Sequence, residues 1–170
     1  MIYGVQIKTL ATNPDPRGFF RELIRSSDDF FGEGFAQWSH SLMAKNVVKA
    51  WHYHHRQVDW WYVAVGEVDV VLFDLRPASP THKGKMEFRL GESSPGVVRI
   101  PPGVAHGLKV LTDSAHLFYI TSQTYDPKDE GRYPFDDPFV PHAWGNPAEL
   151  IVADHDRKIH VPPYPSPPLS

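Results

Sequence analysis

Two separated segments of the chain carry the residues that most restrict its fold. In residues 50–66, His52 and His54 are separated by a single residue. Side chains alternate along a β-strand, so residues two apart face the same side and both imidazoles can point into one cavity. In residues 96–106, an apolar run ends in a Pro-Pro-Gly turn, and His106 follows three residues after the glycine. The sequence therefore predicts one strand that carries two histidines, and a distant strand that ends in a turn and delivers a third, His106.

These segments resemble the two signature motifs of the cupin superfamily. The first motif of that superfamily is His-x-His, a carboxylate and a glycine, and the second is a glycine, Pro-x-Gly and a histidine. The matching residues are His52, His54, Asp59, Gly66, Gly96, Pro101, Gly103 and His106. Asp59 stands where many cupins carry glutamate, and the gap from Gly96 to Pro101 is one residue short. The resemblance implies an all-β cupin jelly-roll, a double-stranded β-helix barrel, with a short C-terminal helical or extended segment.

The pattern of the remaining chain also favours an all-β protein. No helical period of useful length occurs before Asn146, and turn residues separate many short segments of β-type composition. The predicted strands are residues 2–10, 17–24, 35–44, 47–53, 59–65, 67–75, 86–90, 97–100, 108–111 and 116–124. The pair that flanks Gly66 is predicted to form a hairpin. Residues 27–31 predict one helical turn, and residues 147–152 predict a short helix or strand.

Length and composition exclude several classes of protein. The 170 residues suit one domain, which we place at residues 1–160, followed by a proline-rich tail at 161–170. The absence of cysteine excludes disulfides and thiolate chemistry. A net charge of -3 without a basic block argues against a nucleic-acid partner. The first twenty residues lack the apolar core of a signal peptide and no run suits a membrane span, so we expect a cytoplasmic protein with no membrane partner.

Further landmarks resemble the dTDP-4-dehydrorhamnose 3,5-epimerase family, in the family's order and over roughly residues 13–156. They are residues 15–22 (Asp-Pro-Arg-Gly-Phe-Phe-Arg-Glu), Gln37, 49–54, 66–68, 73–76, 79–81, 100–107, Tyr119, Glu130 and 136–138. The resemblance implies an isomerase that acts next to the ketone of a dTDP-4-keto-6-deoxyhexose, in dTDP-rhamnose and polysaccharide biosynthesis. It also implies that no cofactor is needed, and a homodimer that lends an N-terminal strand to the neighbouring sheet.

The same resemblance assigns roles to individual residues. In that family a histidine abstracts a proton beside a ketone, a buried aspartate orients the histidine, and a tyrosine protonates the opposite face. These catalytic roles fall on His52, Asp156 and Tyr119. A C–H next to a carbonyl is a weak acid, which explains the need for a base that titrates near neutral pH. Substrate contacts fall on Arg17, Glu22, Gln37, Lys49, His106 and Glu130, with Lys49 where the family usually has arginine.

Two positions depart from the family's pattern. Asp59 stands where the epimerases carry a lysine that stabilises the enolate, and His54 stands where they usually carry glutamine. A carboxylate about 4 Å from an enolate, at an effective dielectric constant near 20, costs on the order of 4 kcal/mol. Since ~1.4 kcal/mol corresponds to a tenfold change in rate, the unmodified mechanism would lose roughly a thousandfold.

The two replacements also complete a potential metal site, composed of His52, His54, Asp59 and His106. Three imidazoles and one carboxylate suit a divalent transition metal, which could polarise a ketone. A histidine that ligates a metal cannot also act as the base, so His52 can serve in one role only. Three functions therefore remain open from the sequence: an epimerase or isomerase, a metal-dependent cupin enzyme, and a non-catalytic sugar-binding cupin.

Overall fold

A computed structural model describes residues 1–160, and the predicted tail at 161–170 lies outside the described residues. The described chain is almost entirely β, with two short 3-10 turns at Asp29–Phe31 and Asp154–Arg157. Its strands are β1 (Gln6–Thr9), β2 (Asn13–Asp15), β3 (Gly18–Phe20), β4 (Gln37–Ala44), β5 (Val47–His54), β6 (Asp59–Val65), β7 (Glu67–Asp74), β8 (Lys85–Gly91), β9 (Gly96–Ile100), β10 (Val104–Val110), β11 (Ser114–Thr121), β12 (Glu130–Arg132) and β13 (Ile151–Val152).

Two sheets face each other across one apolar core. The first sheet has the strand order β1-β9-β6-β11-β4, and the second has the order β12-β5-β10-β7-β8, with β13 also paired to β5. Side chains from both sheets, such as Val63, Leu72, Val98 and Leu108, meet in the core. This arrangement confirms the predicted jelly-roll. No helix in the described part of the chain is long and apolar enough to cross a membrane.

The predicted hairpin around Gly66 is wrong. The two strands have the predicted extents to within a residue but lie in different sheets, because β6 pairs with β9 and β11 whereas β7 pairs with β8 and β10. Gly66 has φ of +78°, and a Cβ built on it would lie 2.1 Å from the backbone oxygen of Ser114. The chain therefore crosses between the sheets at this glycine, which no other residue could replace without a clash.

Other differences concern short elements. The strand predicted at 17–24 is only β3, which pairs with β2 in a separate two-stranded hairpin. Strand β10 begins at Val104 rather than at 108, so His106 lies within the strand and not in the turn before it. The three residues of β12 are too few to show an alternating pattern, so no strand was predicted there. The C-terminal segment contains the short strand β13 and a 3-10 turn, which agrees with the expected short helical or extended segment.

Candidate active site

A cavity of about 540 Å³ opens between the two sheets, a size typical of small-molecule sites. The strands β4, β5, β6, β10, β11 and β12 and the C-terminal segment supply its walls. Nine of the residues singled out in the sequence line it, namely Gln37, Lys49, His52, His54, Asp59, His106, Tyr119, Glu130 and Asp156. The two histidine-bearing segments therefore converge on one cavity, as predicted.

An irregularity in β5 allows Lys49 to share this cavity with the two motif histidines. Strand β10 pairs His106 with His52 and then Leu108 with Lys49, so a step of two residues on β10 matches a step of three on β5. The extra residue on β5 is a β-bulge, and it changes which face the following side chains occupy. Lys49 and His52 are three residues apart and would otherwise point to opposite faces, but the bulge brings both to the cavity.

His52 lies between two carboxylates. Its Nδ1 is 2.8 Å from Oε1 of Glu130, and its Nε2 is 2.8 Å from Oδ1 of Asp156. Burial by itself lowers the pKa of His52, but the hydrogen bonds to Asp156 and Glu130 outweigh that effect and raise the pKa to about 9. Two carboxylate acceptors favour a ring that carries protons on both nitrogens. A carboxylate partner also holds the ring in a fixed orientation, as expected for Asp156.

The elements beside β5 explain how both carboxylates reach His52. Strand β12 pairs with the last residues of β5, and places Glu130 opposite His54 and Arg132 opposite His52. Strand β13 pairs with the first residues of β5, and the 3-10 turn that follows carries Asp156. Nε of Arg132 donates to Glu130 at 2.6 Å. Although burial opposes it, the contacts with His52 and Arg132 hold the pKa of Glu130 well below its usual range.

Asp156 is almost fully buried, with 1% of its surface exposed. Its Oδ1 accepts from His52, while its Oδ2 has no hydrogen-bond partner among the described residues. A buried carboxylate oxygen without a donor is costly, so the rest of the fold must hold Asp156 in this position beside His52.

Tyr119 and Lys49 approach the cavity from different sheets. Tyr119 lies on β11, between Trp61 of β6 and Ser39 of β4, so it faces the cavity from the sheet opposite His52. Lys49 donates from Nζ to Oγ of Ser41 at 2.7 Å, and burial lowers the pKa of this lysine. The cavity thus contains an imidazole and a phenol on opposite walls, with a partly desolvated ammonium on the same wall as the imidazole.

The structure divides the predicted four-residue metal set. Oδ2 of Asp59 is 3.9 Å from Nε2 of His54 and 3.8 Å from Nε2 of His106, and the ligand atoms of these three residues lie within 4.8 Å of one another. His52 is not part of this group, because its two ring nitrogens contact Glu130 and Asp156 instead. The predicted four-residue set therefore does not come together as one group: His52 instead lies with His155 and Asp156, whose ligand atoms are also within 4.8 Å of one another. Because His52 is separate from His54, Asp59 and His106, it can act as the base while those three residues bind a metal.

Two predicted substrate-contacting residues lie outside the cavity of this chain. The side chain of Arg17 is 89% exposed and pairs with Asp15, and Glu22 pairs with Arg25. Both follow or lie within the β2–β3 hairpin, which is fully exposed and pairs with no other strand of the described chain. The alternation of residues 17–24 fitted a strand of the barrel, but only Gly18–Phe20 forms a strand, and it pairs with β2 in a separate two-stranded sheet.

Three residues that line or support the cavity were not predicted from the sequence. Gln57 donates to Oδ1 of Asp59 at 2.7 Å and lies 3.1 Å from Nε2 of His54. Trp61 donates to the other carboxylate oxygen of Asp59 at 3.3 Å. Arg132 holds Glu130. Each of the three lies two residues from a residue that was singled out, so the period of a strand could have revealed them.

Comparison with known proteins identifies the family of this chain. The family model described as dTDP-4-dehydrorhamnose 3,5-epimerase matches residues 1–161. The spore coat polysaccharide biosynthesis protein SpsL of Bacillus subtilis is 42% identical over 148 residues, covering 85% of this chain and 97% of SpsL. The dTDP-4-dehydrorhamnose 3,5-epimerase of Pseudomonas aeruginosa is 33% identical over 150 residues, covering 85% of this chain and 83% of that enzyme.

A solved structure shows the same fold with a sugar nucleotide bound. The dTDP-6-deoxy-D-glucose-3,5-epimerase of Legionella pneumophila, in complex with dTDP-4-keto-L-rhamnose, superposes with a TM-score of 0.81 at 28% identity. The superposition covers 89% of this chain and 84% of that enzyme. A family match across the whole described chain, a jelly-roll and a cavity with a carboxylate-held histidine opposite a tyrosine place this chain in the dTDP-4-dehydrorhamnose 3,5-epimerase family.

Proposed function

We propose that this nucleotide-sugar epimerase acts on a dTDP-4-keto-6-deoxyhexose and inverts a carbon next to the ketone. The observation that carries the proposal is the position of His52 and Tyr119 on opposite walls of one cavity. Inversion needs a proton removed from one face of the carbon and another delivered to the opposite face. An imidazole and a phenol on facing sheets meet that requirement without further groups.

His52 must lose a proton before it can act as the base. With a pKa near 9, roughly one molecule in a hundred carries a neutral ring at pH 7. A substrate that enters the cavity can displace Glu130 from His52, since Arg132 still holds that carboxylate at 2.6 Å. Asp156 would remain on the other nitrogen and stabilise the imidazolium that forms when the proton arrives.

The forming enolate needs positive charge or hydrogen-bond donors near its oxygen. Lys49 lines the cavity, and its Nζ contacts only a neutral hydroxyl among the hydrogen bonds of the described residues. Lys49 is therefore placed to take a role that the family assigns to a different lysine. In this mechanism Asp156, Glu130 and Gln37 orient the sugar nucleotide or the base.

We also propose a homodimer in the cytoplasm. The outer face of the five-stranded sheet exposes apolar side chains, including Trp38 at 65% and Leu42 at 62%. The β2–β3 hairpin carries exposed Phe19, Phe20 and Arg17. Since β1 pairs with β9 of its own sheet, strand exchange would have to use this hairpin, which could then bring Arg17 and Glu22 to the neighbour's cavity.

Proton exchange with solvent tests the catalytic proposal. The full-length protein is incubated in D₂O with dTDP-4-keto-6-deoxy-D-glucose, and NMR follows the protons at the two carbons that flank the ketone. We expect deuterium at one or both carbons with wild type, and a loss of at least about a hundredfold in the exchange rate with His52→Ala. Wild-type exchange no faster than the uncatalysed background would contradict the proposal.

A matched variant controls for general destabilisation. His82→Ala removes an exposed histidine from the loop between β7 and β8, away from the cavity and from the apolar face of β4. Its exchange rate should match wild type. An equal loss in His82→Ala and His52→Ala would show that the effect comes from general destabilisation and not from the base.

A further inference from the structure

We propose that His54, Asp59 and His106 form a binding site for one divalent transition-metal ion, separate from the His52 base and in the same cavity. The binding itself depends on geometry alone, whereas any role beside a sugar ketone rests on the proposed function. The three side chains come from β5, β6 and β10, so the site is held by both sheets and not by a loop. Asp59 and His106 are each 4% exposed.

The orientation of His106 favours ligation. Its Nδ1 donates to the backbone oxygen of Val104 at 3.1 Å, which leaves the lone pair of Nε2 directed to the cavity side. Metal-binding histidines commonly donate their second nitrogen to a carbonyl or carboxylate in this way. The ring is also enclosed by Trp61, whose plane is nearly perpendicular at 5.1 Å, so its orientation is fixed.

The spacing of the three ligand atoms is close to that of a metal site. With bonds of about 2.1 Å, ligands around an ion lie about 3.0 to 3.4 Å apart. The observed separations of 3.8 and 3.9 Å from Asp59 to the two histidines would have to shorten by about 0.4 to 0.9 Å, and the two imidazole nitrogens lie within 4.8 Å of each other. Changes of this size are within the reach of small rotations about χ1 and χ2. Two imidazoles and a carboxylate on one side of an ion leave open positions for water or substrate oxygens, and nitrogen donors favour a transition metal over Mg²⁺ or Ca²⁺.

The surroundings of Asp59 lack a fixed positive charge. Its contacts in the described residues are the Gln57 amide, the Trp61 indole and the two histidines, with no lysine or arginine among its ion pairs. A buried carboxylate is costly unless it is paired or binds a metal. The amide nitrogen of Gln57 contacts both Nε2 of His54 and Oδ1 of Asp59. An ion on Nε2 of His54 would replace the first contact, while Gln57 would keep its hydrogen bond to Oδ1 of Asp59 and orient that carboxylate. A divalent ion held here would add positive charge in the same cavity as Lys49, near the position of the bound sugar.

Metal content and Co²⁺ titration test this site without any measurement of turnover. The full-length protein is purified without chelators and analysed by inductively coupled plasma mass spectrometry, then stripped and titrated with Co²⁺ while its visible absorption is followed. We expect one ion per chain in wild type, and Co²⁺ affinity at least about tenfold weaker in Asp59→Asn and in His106→Ala. Circular dichroism on each metal-free variant confirms that it is folded, and His54→Gln provides a third, milder removal of a ligand.

Two further variants test alternative binding sites. One tests whether His52 is also a ligand, and the other tests whether Co²⁺ binds to histidines at the surface. His52→Ala should retain the ion, and loss of the ion there would overturn the three-ligand assignment. His40→Ala removes one member of the surface pair His40 and His116, and should leave the stoichiometry at one. Co²⁺ binding that is absent from wild type, or unchanged in Asp59→Asn and His106→Ala, would overturn the proposal.

The metal measurements are independent of proton exchange. A protein that binds the ion at these three residues but shows no exchange at the sugar would contradict the proposed function and leave the metal site intact. A protein that exchanges the proton but binds no Co²⁺ would overturn the metal site and leave the epimerase activity intact.

Discussion

At the scale of single residues, the environment of His52 controls how readily it can accept a proton. Both ring nitrogens contact carboxylates at 2.8 Å, and this raises the pKa of the imidazole to about 9. With this raised pKa, the neutral, basic form of His52 becomes dominant only above about pH 9. The free enzyme should therefore show a kcat/KM that increases with pH from neutrality to about pH 9.

Glu130→Gln should move this increase to lower pH. The amide cannot supply the negative charge that favours the imidazolium, so the pKa of His52 falls and the rising limb shifts by about one pH unit or more. The pH profile of kcat/KM, measured on wild type and Glu130→Gln, checks this shift. Glu149→Gln, which alters an exposed glutamate bonded to Asn146, serves as the control and should leave the profile unchanged. If the rise in kcat/KM occurs at the same pH in Glu130→Gln as in wild type, Glu130 does not set the pKa of His52.

Individual residues also show how much of the candidate site could be predicted from the sequence. His52, Asp156, Tyr119 and Glu130 were predicted because they match a family pattern, and all four line the cavity. The pairing of His52 with two carboxylates at once was not predictable, because Glu130 and Asp156 lie 78 and 104 positions away and reach it only through strand pairing. The separation of His52 from the other metal-type residues has the same cause.

At the scale of elements, Gly66 determines how the chain passes from one sheet to the other. Gly66→Ala should lower the free energy of unfolding by about 3 kcal/mol or more, because it adds a steric clash to the cost of a positive φ. Its Cβ would lie 2.1 Å from Ser114 O and 2.6 Å from Thr112 Oγ1. Urea denaturation measures this change.

Gly34→Ala is the matched control for that substitution. Gly34 has a similar φ of +69°, but a Cβ there would meet nothing within 4 Å. We expect a loss of only about 1 kcal/mol, from the backbone conformation alone. Equal losses in the two variants would show that the close approach of β11 to Gly66 does not contribute.

The elements also show why the fold was easier to predict than its connections. Strand β6 was predicted with its observed limits, and β4, β5, β7, β8 and β9 within two residues, because alternation along a strand is local. Which strands pair is not local: a hairpin and a crossover give the same pattern on either side of Gly66. The strand β12, three residues long, acquires its conformation from its pairing with β5 and not from its own composition.

At the scale of the whole molecule, the exposed face of the five-stranded sheet supports a dimer. Trp38 packs against Phe118, with their ring centroids 6.3 Å apart, and Leu42 lies on the same face of β4. Large exposed apolar patches commonly mark association surfaces. Wild type should sediment as a dimer, and Leu42→Glu should shift the population to monomer, because burial of a carboxylate in the interface is unfavourable.

Ile159→Glu provides the comparison for this surface. Ile159 is 61% exposed, similar to Leu42, but lies outside the five-stranded sheet. Its substitution should leave the sedimentation coefficient unchanged. A monomeric wild type, or a Leu42→Glu variant that remains dimeric, would rule out this face as the interface.

In the proposed reaction, His52 removes a proton on one face of the sugar and Tyr119 returns one on the other. The most direct test is Tyr119→Phe in D₂O with dTDP-4-keto-6-deoxy-D-glucose, followed by NMR for both deuterium content and configuration. We predict that this variant still exchanges the proton through His52, while formation of the inverted sugar falls by at least about a hundredfold. Inversion at the wild-type rate in Tyr119→Phe would contradict this division of roles.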